Sequence, residues 1–332
     1  METKLIICPT TEKERILSKN QNEDLVSIKF MTKEEFFQNY FFSYNQKTIA
    51  YLIKKYGYDI DVIKVYLENM KYIEDEKEYH HPKLIFLQEL KNELKRNNLI
   101  QENKYFKEYI KDKTIIVKNY GDLEKIEEKI LGYHSQYKMQ EISKEVYHFE
   151  TLEEEVSKVA EKIVDLIKQG ISIHHIFLTN VQEDYYYTIK RIFRYYHIPI
   201  NLKEKSSLFS TNVGKKFYKT RTLDLESVAN KKINQKILTI LKDLIEIENQ
   251  DIVDQLLEYE LKHTYILEKE KKEAVNIKDF YQDTFEEDDY VFVLSMNQDI
   301  LPAMEKDIFY ITDSMKDEVE LYTTDEKNAT CM

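Results

Sequence analysis

Glycine, proline, cysteine and tryptophan are scarce in this 332-residue chain, which holds five Gly, four Pro, two Cys and no Trp. The two cysteines, Cys8 and Cys331, are too few for a metal cluster and indicate no disulfide framework. No apolar run approaches the roughly 20 residues that cross a bilayer, and Met1 to Lys4 do not begin a signal peptide. We therefore expect a cytoplasmic protein without a membrane segment.

The shortage of glycine matters most after the first apolar segment. Residues Lys4 to Thr10 predict a buried strand entering a turn, where a P-loop NTPase would continue with G-x-x-x-x-G-K-[ST]. This chain continues with the sequence TEKER (residues 11–15), and its first glycine is Gly57. Side chains crowd the backbone amides that would hold phosphate, and Glu12 and Glu14 would repel an anion. The sequence therefore predicts no nucleotide-phosphate site here.

A second element of an NTPase is also missing. Residues Thr114 to Val117 form a β-branched run that predicts a buried parallel strand. In an NTPase this strand would end in the acid that organises Mg²⁺, but Lys118 and Asn119 follow it here. The nearby acid, Asp122, suits the N-cap of a helix over 123–131 better than a metal ligand.

Alternating strand and helix patterns predict an α/β fold with two parallel-sheet domains, each carrying a helical insertion. The first domain covers 1–140, with strands at 4–8, 25–30 and 114–120 and an insertion at about 31–111. The second covers 141–332, with an insertion at about 206–275. It has strands at 146–149, 173–178 and 198–202, and an apolar strand at 290–294 that we expect to pair with 176–178.

Positive charge is concentrated in one stretch of an otherwise acidic chain. The formal net charge is −12, but residues 190–221 hold nine Lys or Arg against one acid, so this stretch carries +8 and the remainder −20. Phe193, Tyr195, Phe217 and Tyr218 are interleaved with these cations. Such a pattern is typical of a groove that tracks a nucleic-acid backbone and stacks bases, although a solvated helix face with core aromatics would look the same. The candidate DNA-binding residues are Lys190, Arg191, Arg194, Lys215, Lys216, Lys219 and Arg221.

Two passages carry a family resemblance. The first passage resembles UvrD-type superfamily-one helicases, which have in this order the pattern E-E-x-x-x-V-A, a short strand and G-I-P. The corresponding segments of this chain are residues 154–160 (EEVSKVA), the apolar segment 176–180 and the tripeptide at 197–199 (HIP). Residues 291–302 (VFVLSMNQDILP) resemble the helicase segment V-F-V-x-G-x-N-E-G-x-x-P, with Asn297 and Pro302 in place and Ser295, Gln298 and Asp299 departing from it. The chain as a whole is most similar to the helicase-like half of AddB/RexB-type subunits of bacterial ATP-dependent helicase–nucleases, a family that includes PD-(D/E)XK nucleases.

The resemblance implies that the two parallel-sheet domains are of the RecA-like (P-loop NTPase) type. It also implies an inactivated, DNA-binding helicase-like module of a system for repairing and recombining broken DNA, with an AddA/RexA-type subunit as a possible partner. It also shows what is lacking: the Walker lysine, the T-x-H-x-x-K-G-L-E segment before Val291 and an arginine finger. The family's nuclease domain would follow residue 332, so we expect the chain to be truncated. We predict no catalytic residue, no metal and no cofactor within it.

Two other interpretations stay open from the sequence. The chain could be a nuclease or ATPase remnant that acts through unrecognised residues, or a purely structural fragment without an activity. Salt-dependent DNA binding distinguishes the DNA-binding module from the structural fragment, and Mg²⁺-dependent nuclease activity would identify the enzyme.

Overall fold

A computed structural model describes residues 4–19, 28–120, 123–133, 144–202, 205–223, 230–267, 271–280, 283, 285–297, 300–301 and 304–330. Asp122, Gln298, Asp299, Pro302 and Cys331 therefore lie outside the described residues. Within them the chain is an α/β protein with two all-parallel sheets and two helical insertions.

The first sheet has three parallel strands in the order β2-β1-β5: β1 (Lys4–Ile7), β2 (Ile28–Met31) and β5 (Thr114–Val117). Helix α1 (Thr10–Lys19) follows β1, and α7 (Lys125–Leu131) follows β5. Leu5, Ile6 and Ile7 are all buried, as expected for a central strand that is covered on both faces. The predicted first strand and the strand at 114–117 are confirmed.

The first insertion lies between β2 and β5. Its helices begin with α2 (Lys33–Tyr40), where Thr32 and Glu35 form a capping box. The others are α3 (Gln46–Tyr56), α4 (Ile60–Asn69), α5 (Pro82–Arg96) and α6 (Lys104–Lys111). A short antiparallel pair that the sequence did not predict, β3 (Ser43–Tyr44) and β4 (Ile100–Gln101), joins the segment before α3 to the segment after α5.

The second sheet has four parallel strands in the order β11-β6-β10-β7. They are β6 (Ile176–Thr179), β7 (Ile200–Asn201), β10 (Val275–Lys278) and β11 (Tyr290–Val293), and the helices α8 (Leu152–Lys168) and α9 (Tyr185–Tyr195) pack with them. Val291 lies opposite Phe177, so the predicted pairing of the last strand with 176–178 is confirmed.

One prediction about this sheet was wrong, and one strand was not predicted. Residues 146–149 are not a strand and pair with none of the described strands, and Val146 is 78% exposed. Strand β10 was not predicted, because Asn276 and Lys278 interrupt its apolar pattern. In the fold, the Asn276 Oδ1 accepts from Asn201, and the Lys278 ammonium lies 3.7 Å from the centre of the Phe177 ring.

The second insertion lies between β7 and β10. It contains β8 (Lys205–Ser207), α10 (Asn212–Thr220), α11 (Lys231–Leu244), α12 (Gln250–His263) and β9 (Tyr265–Leu267), with β8 and β9 antiparallel. Its helices do not form a separate core. Leu52, Leu67 and Leu94 of the first insertion share one hydrophobic core with residues of the second, which include Leu208, Ile237, Leu256 and Leu261.

The last described segment, 304–330, returns from the second sheet to the first half of the chain. It contains the short helices α13 (Asp313–Lys316) and α14 (Thr324–Thr330). Ile311, Met315 and Val319 are buried against apolar residues of the first insertion and of α7, and the Tyr322 hydroxyl donates to Glu128 at 2.8 Å. The predicted division near residue 140 falls in 134–143, outside the described residues, and stays a prediction. Among the described helices, none is long and apolar enough to cross a membrane.

Candidate nucleic-acid interface

Helix α9 carries three of the predicted cations on its exposed face. Its opposite face, which includes Tyr185, Ile189 and Phe193, is buried in the core of the second sheet. The Tyr185 hydroxyl donates to Glu155 Oε2 at 2.6 Å, and Glu155 Oε1 accepts the backbone N–H of Ser295 at 2.9 Å. Burial and the bond to Glu155 raise the pKa of Tyr185 to about 12. These contacts fix the rotation of α9 and direct its cationic face to solvent.

The exposed face of α9 consists of two tyrosines and three cations. They lie three or four residues apart and so are neighbours on one side of the helix: Tyr187, Lys190, Arg191, Arg194 and Tyr195. Arg191 forms an ion pair with Glu153 of α8 at 2.8 Å, and both side chains are at least half exposed. Such a surface pair is weak, about 0–1 kcal/mol, so it leaves the guanidinium available to a phosphate.

Helix α10 presents lysines alone. Lys215, Lys216 and Lys219 are exposed, and their ammonium groups have no ion pair or hydrogen bond within the described parts of the chain. Phe217 on the other side is buried in the shared helical core. Gly214 allows α10 to pack closely on the preceding turn, because a Cβ there would lie 1.9 Å from the Leu208 carbonyl oxygen.

Arg221, the last predicted cation, has a structural role as well. It ends α10 in the left-handed conformation, with φ of 56°. Its guanidinium donates to Asp254 Oδ1 at 2.7 Å and lies over the Tyr218 ring at 5.0 Å. These contacts tie α10 to α12, so Arg221 positions the lysines of α10 and is less available to a ligand than they are.

Helix α11 adds cations that the sequence analysis missed. Lys231, Lys232 and Lys236 are exposed on its first turns, which carry no acid, while Ile237 and Ile240 are buried. Lysines at a helix N-terminus oppose the helix dipole, which favours acids there. The sequence analysis missed them because it ended the basic stretch at residue 221. We call Lys215, Lys216, Lys219, Lys231, Lys232 and Lys236 the lysine face.

The seven predicted residues therefore stand on helices that pack on two different cores. Helix α9 packs against the core of the second sheet, and helix α10 packs against the helical core that the two insertions share. The interleaved aromatic residues are divided as well. Phe193 and Phe217 are buried and Tyr218 is half-buried, whereas Tyr187 and Tyr195 on α9 are exposed.

The position of the missing phosphate loop is filled by an internal ion pair. Glu12, in the first turn of α1, is 1% exposed and accepts from Arg15 Nε at 2.6 Å and from Arg15 Nη2 at 2.7 Å. The bond to Glu12 raises the pKa of Arg15. A helix N-terminus attracts anions, and here the first turn already holds a buried carboxylate with its own countercharge.

One group of side chains in the described ranges has the spacing of metal ligands: His175, Asp288 and Asp289. The His175 Nδ1 lies 2.9 Å from Asp289 Oδ1, and the Lys278 ammonium lies 3.6 Å from Asp289 Oδ2. The Asp289 carboxylate is therefore already balanced by two basic groups. We interpret this group as an ion-pair cluster that joins the starts of β6 and β11.

No protein-family model and no curated protein matches the chain. The resemblance to helicase–nuclease subunits rests on the residues quoted above.

Proposed function

We propose that this chain is a nucleic-acid-binding module, without nucleotide hydrolysis of its own, that serves a bacterial DNA repair and recombination helicase–nuclease. The observation that carries the proposal is the lysine face of α10 and α11. Six exposed lysines stand on two packed helices, and neither helix has an acid in its first turn. In a chain with a net charge of −12, this is a local positive field.

The electrostatics of the lysine face favour a polyanion over a protein partner. The α10 ammonium groups form no ion pair with an acid of the described residues. A polyphosphate backbone would supply the missing negative charge, and releasing its counterions would add to the binding free energy. Contacts of this kind carry no sequence information, so we expect binding that is indifferent to base sequence.

The backbone after β11 supports the helicase-like part of the proposal. Ser295 stands where the helicase segment has glycine, and it adopts a φ of 54°, a conformation that glycine accepts most readily. Asn180, which follows the neighbouring strand β6, has a φ of 55° and donates to the Leu294 carbonyl at 2.6 Å. These features are compatible with two RecA-like domains, and we propose that the two sheets belong to such domains.

The same proposal assigns the motor to another subunit. The buried Glu12 carboxylate, paired with Arg15, places a negative charge in the first turn of α1, which disfavours a phosphate group there. An AddA/RexA-type subunit would therefore supply ATP hydrolysis in the cytoplasm, while this chain holds the nucleic acid.

The test compares two variants of equal net charge. Lys215, Lys216 and Lys219 are changed to Glu in one variant. In the control, three exposed lysines on other surfaces, Lys54, Lys104 and Lys272, are changed to Glu. Binding of fluorescent DNA is measured by anisotropy over a range of salt concentrations.

We expect wild-type binding to be micromolar or weaker and to fall steeply with salt, with a slope of about −0.9 per phosphate contact on duplex DNA. The α10 variant should bind all sequences more weakly and with a shallower slope, and the control variant should stay close to wild type. Equal losses in both variants, or no binding by the wild type, would refute the proposal.

A further inference from the structure

We infer that the exposed face of α9 is a platform on which single-stranded nucleic acid stacks its bases. The inference rests on the proposed function and specifies its ligand. The lysine face of α10 and α11 can hold phosphates of any nucleic acid, whereas α9 combines cations with two exposed rings on one face. Tyr187 is 76% exposed and Tyr195 is 79% exposed.

The two tyrosines differ from most described tyrosines in having little to hold them in place. Tyr51, Tyr56, Tyr185, Tyr218, Tyr259 and Tyr322 all donate their hydroxyl groups to carboxylates. Tyr187 has neither a hydroxyl partner nor a ring contact among the described residues. Tyr195 has one ring contact among the described residues, an edge-to-face arrangement with Tyr196 whose ring centres lie 5.2 Å apart at 83°. Both rings therefore present a free face to solvent.

The spacing of the rings suits a strand that lies along the helix. Eight residues of α-helix separate Tyr187 from Tyr195, which places their backbones about 12 Å apart. This distance is more than three times the ~3.4 Å step of a stacked strand, so nucleotides lie between the two stacked bases. Lys190, Arg191 and Arg194 stand between the rings, where they meet the phosphates of those nucleotides.

A duplex cannot use this platform in the same way. Its bases are stacked on one another and paired, so their faces are not available to a side chain without unstacking. A single strand offers its base faces, and stacking on an aromatic side chain contributes about 1–3 kcal/mol per base. The face of α9 should therefore discriminate between single strands and duplex, which the lysine face cannot do.

The experiment uses the full chain with Tyr187 and Tyr195 both changed to Leu, which removes the rings and leaves the cations. A second variant, with both changed to Phe, keeps the rings. The matched control is Tyr105→Leu, since Tyr105 is 89% exposed on α6. Anisotropy is measured on an oligothymidylate and on a duplex of similar length, and thermal melting checks that each variant folds.

We expect the double Leu variant to bind the single strand at least about tenfold more weakly, with an unchanged salt slope and an unchanged duplex affinity. The Phe variant and Tyr105→Leu should bind like wild type. As an independent readout, an iodouracil-containing strand should photo-cross-link to the α9 peptide. Single-strand affinity that survives the Leu changes, or an equal loss on both ligands, would overturn this inference alone. A wild type that binds neither ligand would overturn the proposed function as well.

Discussion

The Tyr259 hydroxyl of α12 donates a hydrogen bond of 2.6 Å to the Asp61 carboxylate of α4, a residue 198 positions earlier in the sequence, and so joins the two helical insertions. Burial and this bond raise the pKa of Tyr259. The Gln46 side chain on α3 donates a second hydrogen bond between the insertions, to Glu260 on α12 at 3.0 Å. The insertions of the two α/β units therefore form one helical body, which supports the lysine face.

We predict that this helical body unfolds as one unit. Leu256 is fully buried in the shared core, and Leu256→Ala should lower the free energy of unfolding by about 2–5 kcal/mol. Hydrogen exchange should increase together in α3, α4, α11 and α12, because both insertions depend on the same core. The control Leu238→Ala removes a half-exposed side chain of α11 and should have a small effect. Faster exchange confined to the second insertion would contradict the prediction.

The sequence predicted best those elements whose residues are apolar on both faces. Strand β11, with the sequence YVFV, was placed beside β6 correctly because an uninterrupted apolar run is typical of a strand in a parallel sheet. Strand β10 was missed, since Lys278 is accommodated by a ring on the neighbouring strand and not by solvent. A contact of this kind is not visible in local periodicity.

The two candidate surfaces were predictable only in part. The charge count identified α9 and α10, but it could not show that they belong to different cores or that Lys231 and Lys232 extend the second surface. The tyrosine triplet at 185–187 is divided between core and surface, since Tyr185 is buried and Tyr187 is exposed. Helical periodicity alone does not decide which ring is buried, and the bond from Tyr185 to Glu155 is the contact that orients the helix.

Gly214 should be required for the position of the α10 lysines. Gly214→Ala would place a methyl group against the Leu208 carbonyl oxygen, a contact of 1.9 Å that only a backbone shift can relieve. We expect a loss of about 1–3 kcal/mol in folding stability and weaker DNA binding under conditions where the variant is still folded. Asn212→Ala, at the exposed start of α10, is the control and should preserve both. An alanine variant with wild-type stability would show that the turn can move freely.

We predict no ATP hydrolysis by the purified chain, with or without DNA. A P-loop and an arginine finger accelerate phosphoryl transfer by several orders of magnitude, and here the first turn of α1 holds the buried Glu12 carboxylate paired with Arg15. Phosphate release is measured with Mg²⁺ and single-stranded DNA. Lys13, the one lysine in this turn, is the diagnostic position. DNA-stimulated turnover that disappears in Lys13→Ala would contradict the prediction.

The pair formed by His175 and Asp289 should make stability depend on pH. The hydrogen bond to Asp289 raises the pKa of His175 above its usual value, and the Asp288 carboxylate at 3.6 Å acts in the same direction, whereas the Lys278 ammonium opposes it. A histidine whose pKa is raised on folding stabilises the fold fully below its unfolded pKa of about 6.5. That contribution is lost as the pH rises through the folded pKa.

The measurement compares melting temperatures of wild type and His175→Ala at about pH 5.5 and about pH 8.5, on either side of this titration. The difference between the two proteins should be larger at the acidic pH, because the charged pair joining the starts of β6 and β11 exists only there. His174→Ala, the exposed neighbour, provides the control, since His174 lacks the contact to Asp289 and its effect should not follow the same trend. A His175→Ala effect that is the same at both pH values would show that the neutral imidazole holds the two strands equally well.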